Sequence, residues 1–302
     1  MSFALEYLSP GGAPPSFEDI EEWRLDIPQF EASSERDGVR TWWYRNPDTS
    51  VYFVLSLYEV SPTGNDELGP CGLEFSLNHL RPTFFAEEAA PIMGSLAQCL
   101  GLVPCDGSTG VPLESVPGSE ELQQEIVRLW GHGNAVAVDE ASQQGRRMHF
   151  LQPESARRWW EYSRRRIALR DALMERKIQA EVPAVHFLKM PHSGKVVTAM
   201  AWENEGATLF PPCDYMVIDR TIETRKLFRK TTERKVGYVS TEVFMRQIVG
   251  ALKSIEVDGM PIRLLLQEDA WKAADRIPNL PLEEDLSDFK PLRPDQIIDE
   301  EM

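Results

Sequence analysis

Among 302 residues the side chains able to do chemistry are widely spaced, and the tightest group is Glu74, Asn78, His79 and Arg81. A carboxylate, an amide, an imidazole and a guanidinium in one short segment could divide proton transfer and charge stabilisation among them. Their order argues otherwise. Side chains alternate faces along a strand, so Glu74, Ser76 and Asn78 share a wet face while His79 points with Leu73, Phe75 and Leu77. That pattern predicts a satisfied core or edge imidazole rather than a catalytic base. Cys213-Asp214, after Pro211 and Pro212, sets a thiol beside an acid. A neighbouring carboxylate raises a thiol's pKa, so no resting nucleophile is expected there.

Other patterns fail on their physical requirements. No Gly-x-Ser-x-Gly elbow presents a serine to a base. His192-Ser193-Gly194-Lys195 lacks the glycine-rich lead and following helix that aim backbone amides at phosphate. Gly131-His132-Gly133 follows a helical pattern rather than a strand, the wrong setting for a dinucleotide site. None of the five histidines stands near a carboxylate at metal-ligand spacing, and Cys71, Cys99, Cys105 and Cys213 form no Cys-x-x-Cys pair. The expectation is reduced structural thiols, no metal and no cofactor.

The elements around these residues are clearer than the chemistry. Residues 51–60 are apolar on both alternating faces, which predicts a central strand covered on both sides. Residues 73–78 alternate apolar and polar, and Pro82-Thr83 then opens a helix whose Phe85, Ala89, Ile92, Leu96 and Cys99 form one stripe. Gly101 is placed to cap it. Pro91 predicts a kink or the start of a second helix. The first twenty residues, rich in Pro and Gly, look like a loose lead-in, and 23–30 and 39–44 read as short strands. Residues 105–118 read as a loop. Ser119 then caps a helix ending at Gly131-His132-Gly133, with 134–138 returning as a strand.

In the second half, a single long helix is expected over residues 153–179, with Arg157, Arg158, Arg164, Arg165 and Arg176 forming a basic face opposite Trp159, Trp160, Tyr162, Ile167 and Met174. Strands are expected at 184–190, 195–202, 215–218 and 261–266, with an exposed loop or hairpin arm over 220–235. Ser240 begins a helix buried through Phe244, Ile248, Ala251 and Ile255. The chain is therefore expected to be α+β with two domains, each a mainly antiparallel sheet covered by helices. An acidic domain would span 1–145, a basic domain with a long N-terminal helix 146–277, and an acidic, proline-containing C-terminal tail 278–302.

Charge carries the functional expectation. Residues 1–140 carry a net −17, with six arginines and no lysine, while residues 141–266 carry +8 and residues 267–302 carry −7. An acidic surface of this density repels nucleic acid and anionic lipid and steers cationic partners. No apolar run approaches the ~20 residues of a membrane helix, and the start lacks the basic-then-apolar order of a signal peptide, so a cytoplasmic location is expected. The expected task is binding a basic protein, as an immunity- or antitoxin-like inhibitor of a partner such as a toxin. Glu18, Asp19, Glu21, Glu22, Glu74, Asn78, Glu87 and Glu88 are the expected contact residues. Two alternatives stand beside it: an enzyme with a pocket around Glu74, Asn78, His79 and Arg81, and a scaffold or homo-oligomer joining acidic to basic faces. The acids of the first block could also simply be solvated or pair with the basic block of the same chain.

Overall fold

The computed structural model describes residues 2–61, 67–190, 193–202, 206–226, 229–257, 259–274, 276, 280 and 290–300. The class is α+β, with seven α-helices among the described residues and mostly antiparallel sheets. No described helix is long and apolar enough to cross a membrane. The chain divides into two compact units, Met1–Met148 with Pro294–Asp299, and His149–Arg293 with Glu300–Met302.

The first unit is built on a six-stranded antiparallel sheet in the order β2-β3-β4-β5-β1-β6. In chain order it comprises β1 (Ser2–Pro10), α1 (Phe17–Arg24), β2 (Ser34–Arg36), β3 (Val39–Arg45), β4 (Tyr52–Leu57), β5 (Leu68–Asn78), α2 (Phe84–Leu100), β6 (Val103–Asp106) and α3 (Glu120–Gln143). The expected loose lead-in is wrong: β1 lies inside the sheet between β5 and β6. Phe3, Leu5 and Tyr7 alternate into the core, a period-two signal that the prolines just after it obscure. β4 is central, as expected, yet only Phe53 and Leu55 are fully buried among its large side chains. Tyr52, Val54 and Leu57 are half-exposed, so its second face is only partly covered.

The expected strand at 23–30 is a helix end and a turn. Ser16 accepts a hydrogen bond from the Asp19 amide at 3.0 Å, satisfying one donor of the α1 N-terminus, and Ile20 anchors the buried side. α2 runs through Pro91, which sits on its exposed side, and its Gly101 cap is left-handed with φ 63°, as expected. At its start, the Asp299 carboxylate accepts from the Thr83 amide at 2.8 Å and from the Thr83 hydroxyl. Phe85, Ala89 and Leu96 are buried. Ile92 is half-exposed and Cys99 exposed, because Met93, Gly94 and Ala97 turn a second face inward.

α3 does not stop at Gly131-His132-Gly133. It continues to Gln143 and buries Ala137, Val138 and Ala141 where a strand over 134–138 was expected. Gly133 is there for contact rather than termination: a Cβ on it would lie 2.7 Å from His79 Nε2. At its other end, the expected loop over 105–118 loses its first residues to β6, whose Cys105 pairs with Glu6 of β1.

The second unit comprises β7 (Phe150–Leu151), α4 (Pro153–Ser163), α5 (Arg166–Glu175), β8 (His186–Lys189), β9 (Val196–Trp202), β10 (Thr208–Phe210), β11 (Tyr215–Lys226), β12 (Arg229–Ser240), α6 (Thr241–Ile248), β13 (Leu252–Val257), β14 (Met260–Leu265), α7 (Gln267–Ala274) and β15 (Lys290–Leu292). Its sheets run β12-β11-β9-β8-β15 and β10-β14-β13, and the β9–β11 pair is parallel. β11 and β12 pair from Tyr215↔Ser240 to Lys226↔Arg229, whereas β9 flanks β11 only at Tyr215–Ile218. The hairpin therefore outruns its sheet, and the apolar pair noted in that stretch of the sequence, Leu227-Phe228, lies outside the described residues.

The single long helix expected over 153–179 is two, broken at Arg164-Arg165. The break frees Ile167 and Met174, which one continuous stripe would have buried, to stand 46% and 67% exposed. Ile255, expected on a helix, lies in β13, since a 3-10 turn at Val249–Ala251 ends α6 first. Of the expected tail, residues 278–279, 281–289 and 301–302 fall outside the described residues. β15 pairs with β8, and Ile297 and Ile298 of the first unit are buried. The division between the units follows Gly145, at φ 68°, and the exposed Arg146 and Arg147. Limited trypsin digestion is expected to cut there first and leave two lasting fragments. A first cut inside either unit would count against two separately folding domains.

Candidate functional site

The acidic residues of α1 take their positions from its cap. With Ser16 at the start, Glu18 and Asp19 fall in the first turn, where the helix dipole favours negative charge. Asp19 and Glu22, three apart, occupy one flank, and the exposed Asp26 follows just past the helix. Trp23 ties this flank down by donating from its indole nitrogen to Ser95 Oγ at 2.9 Å. The result is a cleft of about 590 Å³ lined by Asp19, Glu22 and Asp26 together with Pro14, Pro15 and the 99–102 segment. No lysine, arginine or histidine lines it.

Not every expected contact acid belongs to this surface. Glu21 accepts from Trp42 Nε1 at 2.7 Å and from Arg24 at 2.8 and 2.5 Å. The Arg24 hydrogen bond holds its carboxyl below the usual range, against a partial opposing effect of burial. Glu88 accepts from the Tyr44 hydroxyl at 2.8 Å, Asn46 Nδ2 at 2.8 Å and the Thr49 hydroxyl at 3.0 Å. These two carboxylates hold the first unit together. Glu87 is half-buried in the first turn of α2. Glu18, Asp19 and Glu22 are exposed.

The group around His79 assembles differently from its order in the sequence. Arg81 donates to the Tyr52 hydroxyl at 2.6 Å and to the Leu80 carbonyl at 2.8 Å, and Asn78 reaches the same hydroxyl at 3.5 Å. Asn134 of α3 accepts from the Leu80 amide at 2.6 Å and donates to the Arg81 carbonyl at 3.2 Å. His79 packs near Trp130, with ring centroids 6.2 Å apart. The expectation of a satisfied imidazole is corrected: both ring nitrogens are buried without a hydrogen-bond partner, and burial lowers the pKa. Glu74 stands apart, four residues and so roughly 13 Å along the strand from Asn78, facing Glu6 across the β1–β5 pair. Burial first, and the Glu6 charge second, raise its pKa.

The expected basic face is divided between α4 and α5. Arg157 lies 3.6 Å from Glu161 and Arg158 3.7 Å from Asp214. Arg164 stacks over Trp160 at 4.6 Å, Arg165 is exposed before α5, and Arg176 donates to the Glu256 carbonyl at 2.9 Å. Burial pushes the Cys213 thiol up to about 11, with Asp214 also acting upward, the direction expected of a thiol beside a carboxylate.

Sequence reasoning missed Trp23, Asp26 and Tyr52. The first two were legible in Ser16-x-x-Asp19 as a helix cap followed by acids at helical spacing. Tyr52 joins Arg81 across the sheet, a proximity that local spacing does not encode. Among the described residues no three His, Cys, Asp or Glu side chains gather to hold a metal ion. Comparison with known proteins finds no matching family model, curated protein or solved structure.

Proposed function

We propose that the first unit recognises a basic protein and that the chain acts as an immunity- or antitoxin-like inhibitor of that partner. The observation that carries this reading is the α1 cleft, which Asp19, Glu22 and Asp26 line and no basic residue does. It lies within a segment of net −17 without a lysine. Such a field raises the encounter rate with a cationic surface and penalises anionic ones. The half-buried Trp23 indole gives the aliphatic stem of an inserted lysine or arginine something to pack on. The enzyme alternative finds less support, because Glu74 is separated from His79 by position and by strand face.

The test is capture from the source cell with the full chain, followed by kinetics with the recovered basic protein. Changing Asp19→Asn, Glu22→Gln and Asp26→Asn together is expected to slow association about tenfold at low salt, with little change in dissociation and only a small loss of stability from the first-turn Asp19. Added salt should remove most of the difference, since exposed charges are screened beyond roughly 8 Å at physiological ionic strength. Recovery of no basic protein, or an association rate indifferent to the triple change and to salt, would overturn the proposal.

A further inference from the structure

The second unit holds a concavity of a different character. A pocket of about 370 Å³ opens between α4, α6, β10 and β14, with Leu209, Phe210, Met245 and Ile262 among its lining residues. These four are buried as residues, between 0% and 8% exposed, so they form a fixed apolar floor, and the half-exposed Met260 with the exposed Pro212 and Pro261 supplies the accessible apolar wall. The pocket's size lies within the range of small-molecule sites, and such sites pair apolar walls with a few polar groups that fix orientation. Met245 and Met260 add unbranched, polarisable thioethers that adapt to a flexible guest.

The mouth is charged, and its charges do not cancel. Arg158 faces Asp214 at 3.7 Å and donates to Ser155 Oγ at 3.0 Å. Glu161 faces Arg157 at 3.6 Å. Arg263 is exposed and pairs with no carboxylate among the described residues. Arg263 itself lines the pocket and lies directly opposite Phe210 of β10, on the same sheet face, while Leu209 and Ile262 alternate to the other face. One uncompensated guanidinium beside an apolar chamber suits a ligand with one anionic oxygen pair and a hydrocarbon body. A cation would be repelled there, and a multiply charged phosphate would need further free cations that Arg158, turned toward Asp214, does not supply.

We propose that this pocket binds a medium-chain carboxylate, its tail against Phe210, Met245 and Met260 and its head on Arg263. The Cys213 thiol at the wall, pushed up to about 11, stays protonated at neutral pH, so it adds no competing negative charge and no nucleophile. This site uses nothing from the acidic cleft of the first unit.

Calorimetric titration of the full chain with decanoate, kept below its micelle concentration, is expected to show saturable one-to-one binding. Decanol, with the same tail and no charge, should bind at least about tenfold more weakly, the least that a hydrogen bond to a charged group supplies. Arg263→Gln, an exposed change that leaves the core alone, should weaken decanoate by about the same factor and leave decanol unchanged. Met260→Trp at the half-exposed mouth should weaken both. Absence of saturable binding, equal binding of decanol, or indifference of decanoate to Arg263→Gln would each overturn the assignment, the last even if Met260→Trp disturbs the fold.

Discussion

Replacing Gly72 with alanine is expected to destabilise the first unit by about 3 kcal/mol. Gly72 sits inside β5 at φ 76°, where the β1–β5 register shifts between Glu6 and Leu8. Only Tyr7 of β1 fits between these two pairs, against Cys71, Gly72 and Leu73 of β5, so the extra residues must bulge and one must take a left-handed conformation. For a residue with a Cβ that conformation costs roughly 1–2 kcal/mol. The Cβ would also stand 2.4 Å from the Tyr58 carbonyl oxygen and 3.0 Å from Val60 Cγ1, and overpacking of this kind adds about 1–3 kcal/mol. Backbone cannot swing aside as a side-chain end can, and the Tyr58 amide already donates to the Gly72 carbonyl at 2.8 Å. Gly101→Ala is the comparison. It has φ 63° but nothing within 4 Å of an added Cβ, so it should show the conformational cost alone. Denaturant unfolding that finds the two changes equal would show that the bulge relaxes around a methyl group.

Periodicity made the elements legible where one face of one element met the core. The α2 cap at Gly101 and the strands at 39–44, 186–189 and 196–202 follow directly from alternation and turn residues. It failed where a second layer or a close contact changed the meaning of a residue. Gly131 and Gly133 carry the ordinary signature of a helix end, yet the tight approach of Gly133 to His79 is a tertiary fact. β1 was hidden for a similar reason: Phe3, Leu5 and Tyr7 form only a short alternation, and the prolines after it outweighed it in the reading. Around the break between α4 and α5, Leu169 and Leu173 are buried while Ile167 and Met174 stand exposed. A helical projection treats all of them alike.

Charge was legible as a total and illegible as a surface. The −17 of the first block is plain in the sequence, but the count gives equal weight to Asp19, which faces a cleft, and to Glu21, which hydrogen-bonds to Trp42 and Arg24. The cleft emerges only once 17–24 is helical, because a strand there would have sent Asp19 and Glu22 to opposite faces. The neighbouring pair Glu87 and Glu88 shows the same limit, with Glu88 taken up by three donors from β3 and the turn that follows it.

That difference supports the second large expected effect. Glu88→Ala should cost the first unit about 3–4 kcal/mol while leaving association with a basic partner unchanged. The carboxylate collects the Tyr44 and Thr49 hydroxyls and the Asn46 amide, and Thr49 is wholly buried. Burial, followed by the Glu88 charge, raises the Tyr44 pKa, so the phenol stays protonated and continues to donate at neutral pH. Removing the acceptor leaves three donors to find new partners, at about 1–3 kcal/mol for each one left buried and unsatisfied; Asn46, in a turn, has the easiest access to water. Glu22→Gln, in contrast, changes an exposed side chain and should alter stability by under ~0.5 kcal/mol while slowing partner association. Parallel denaturation and association measurements on the two variants therefore separate an acid that holds the unit together from one proposed to meet a partner. A Glu88 variant of unaltered stability whose association is slowed would reverse the assignment and move the recognition surface from α1 to the start of α2.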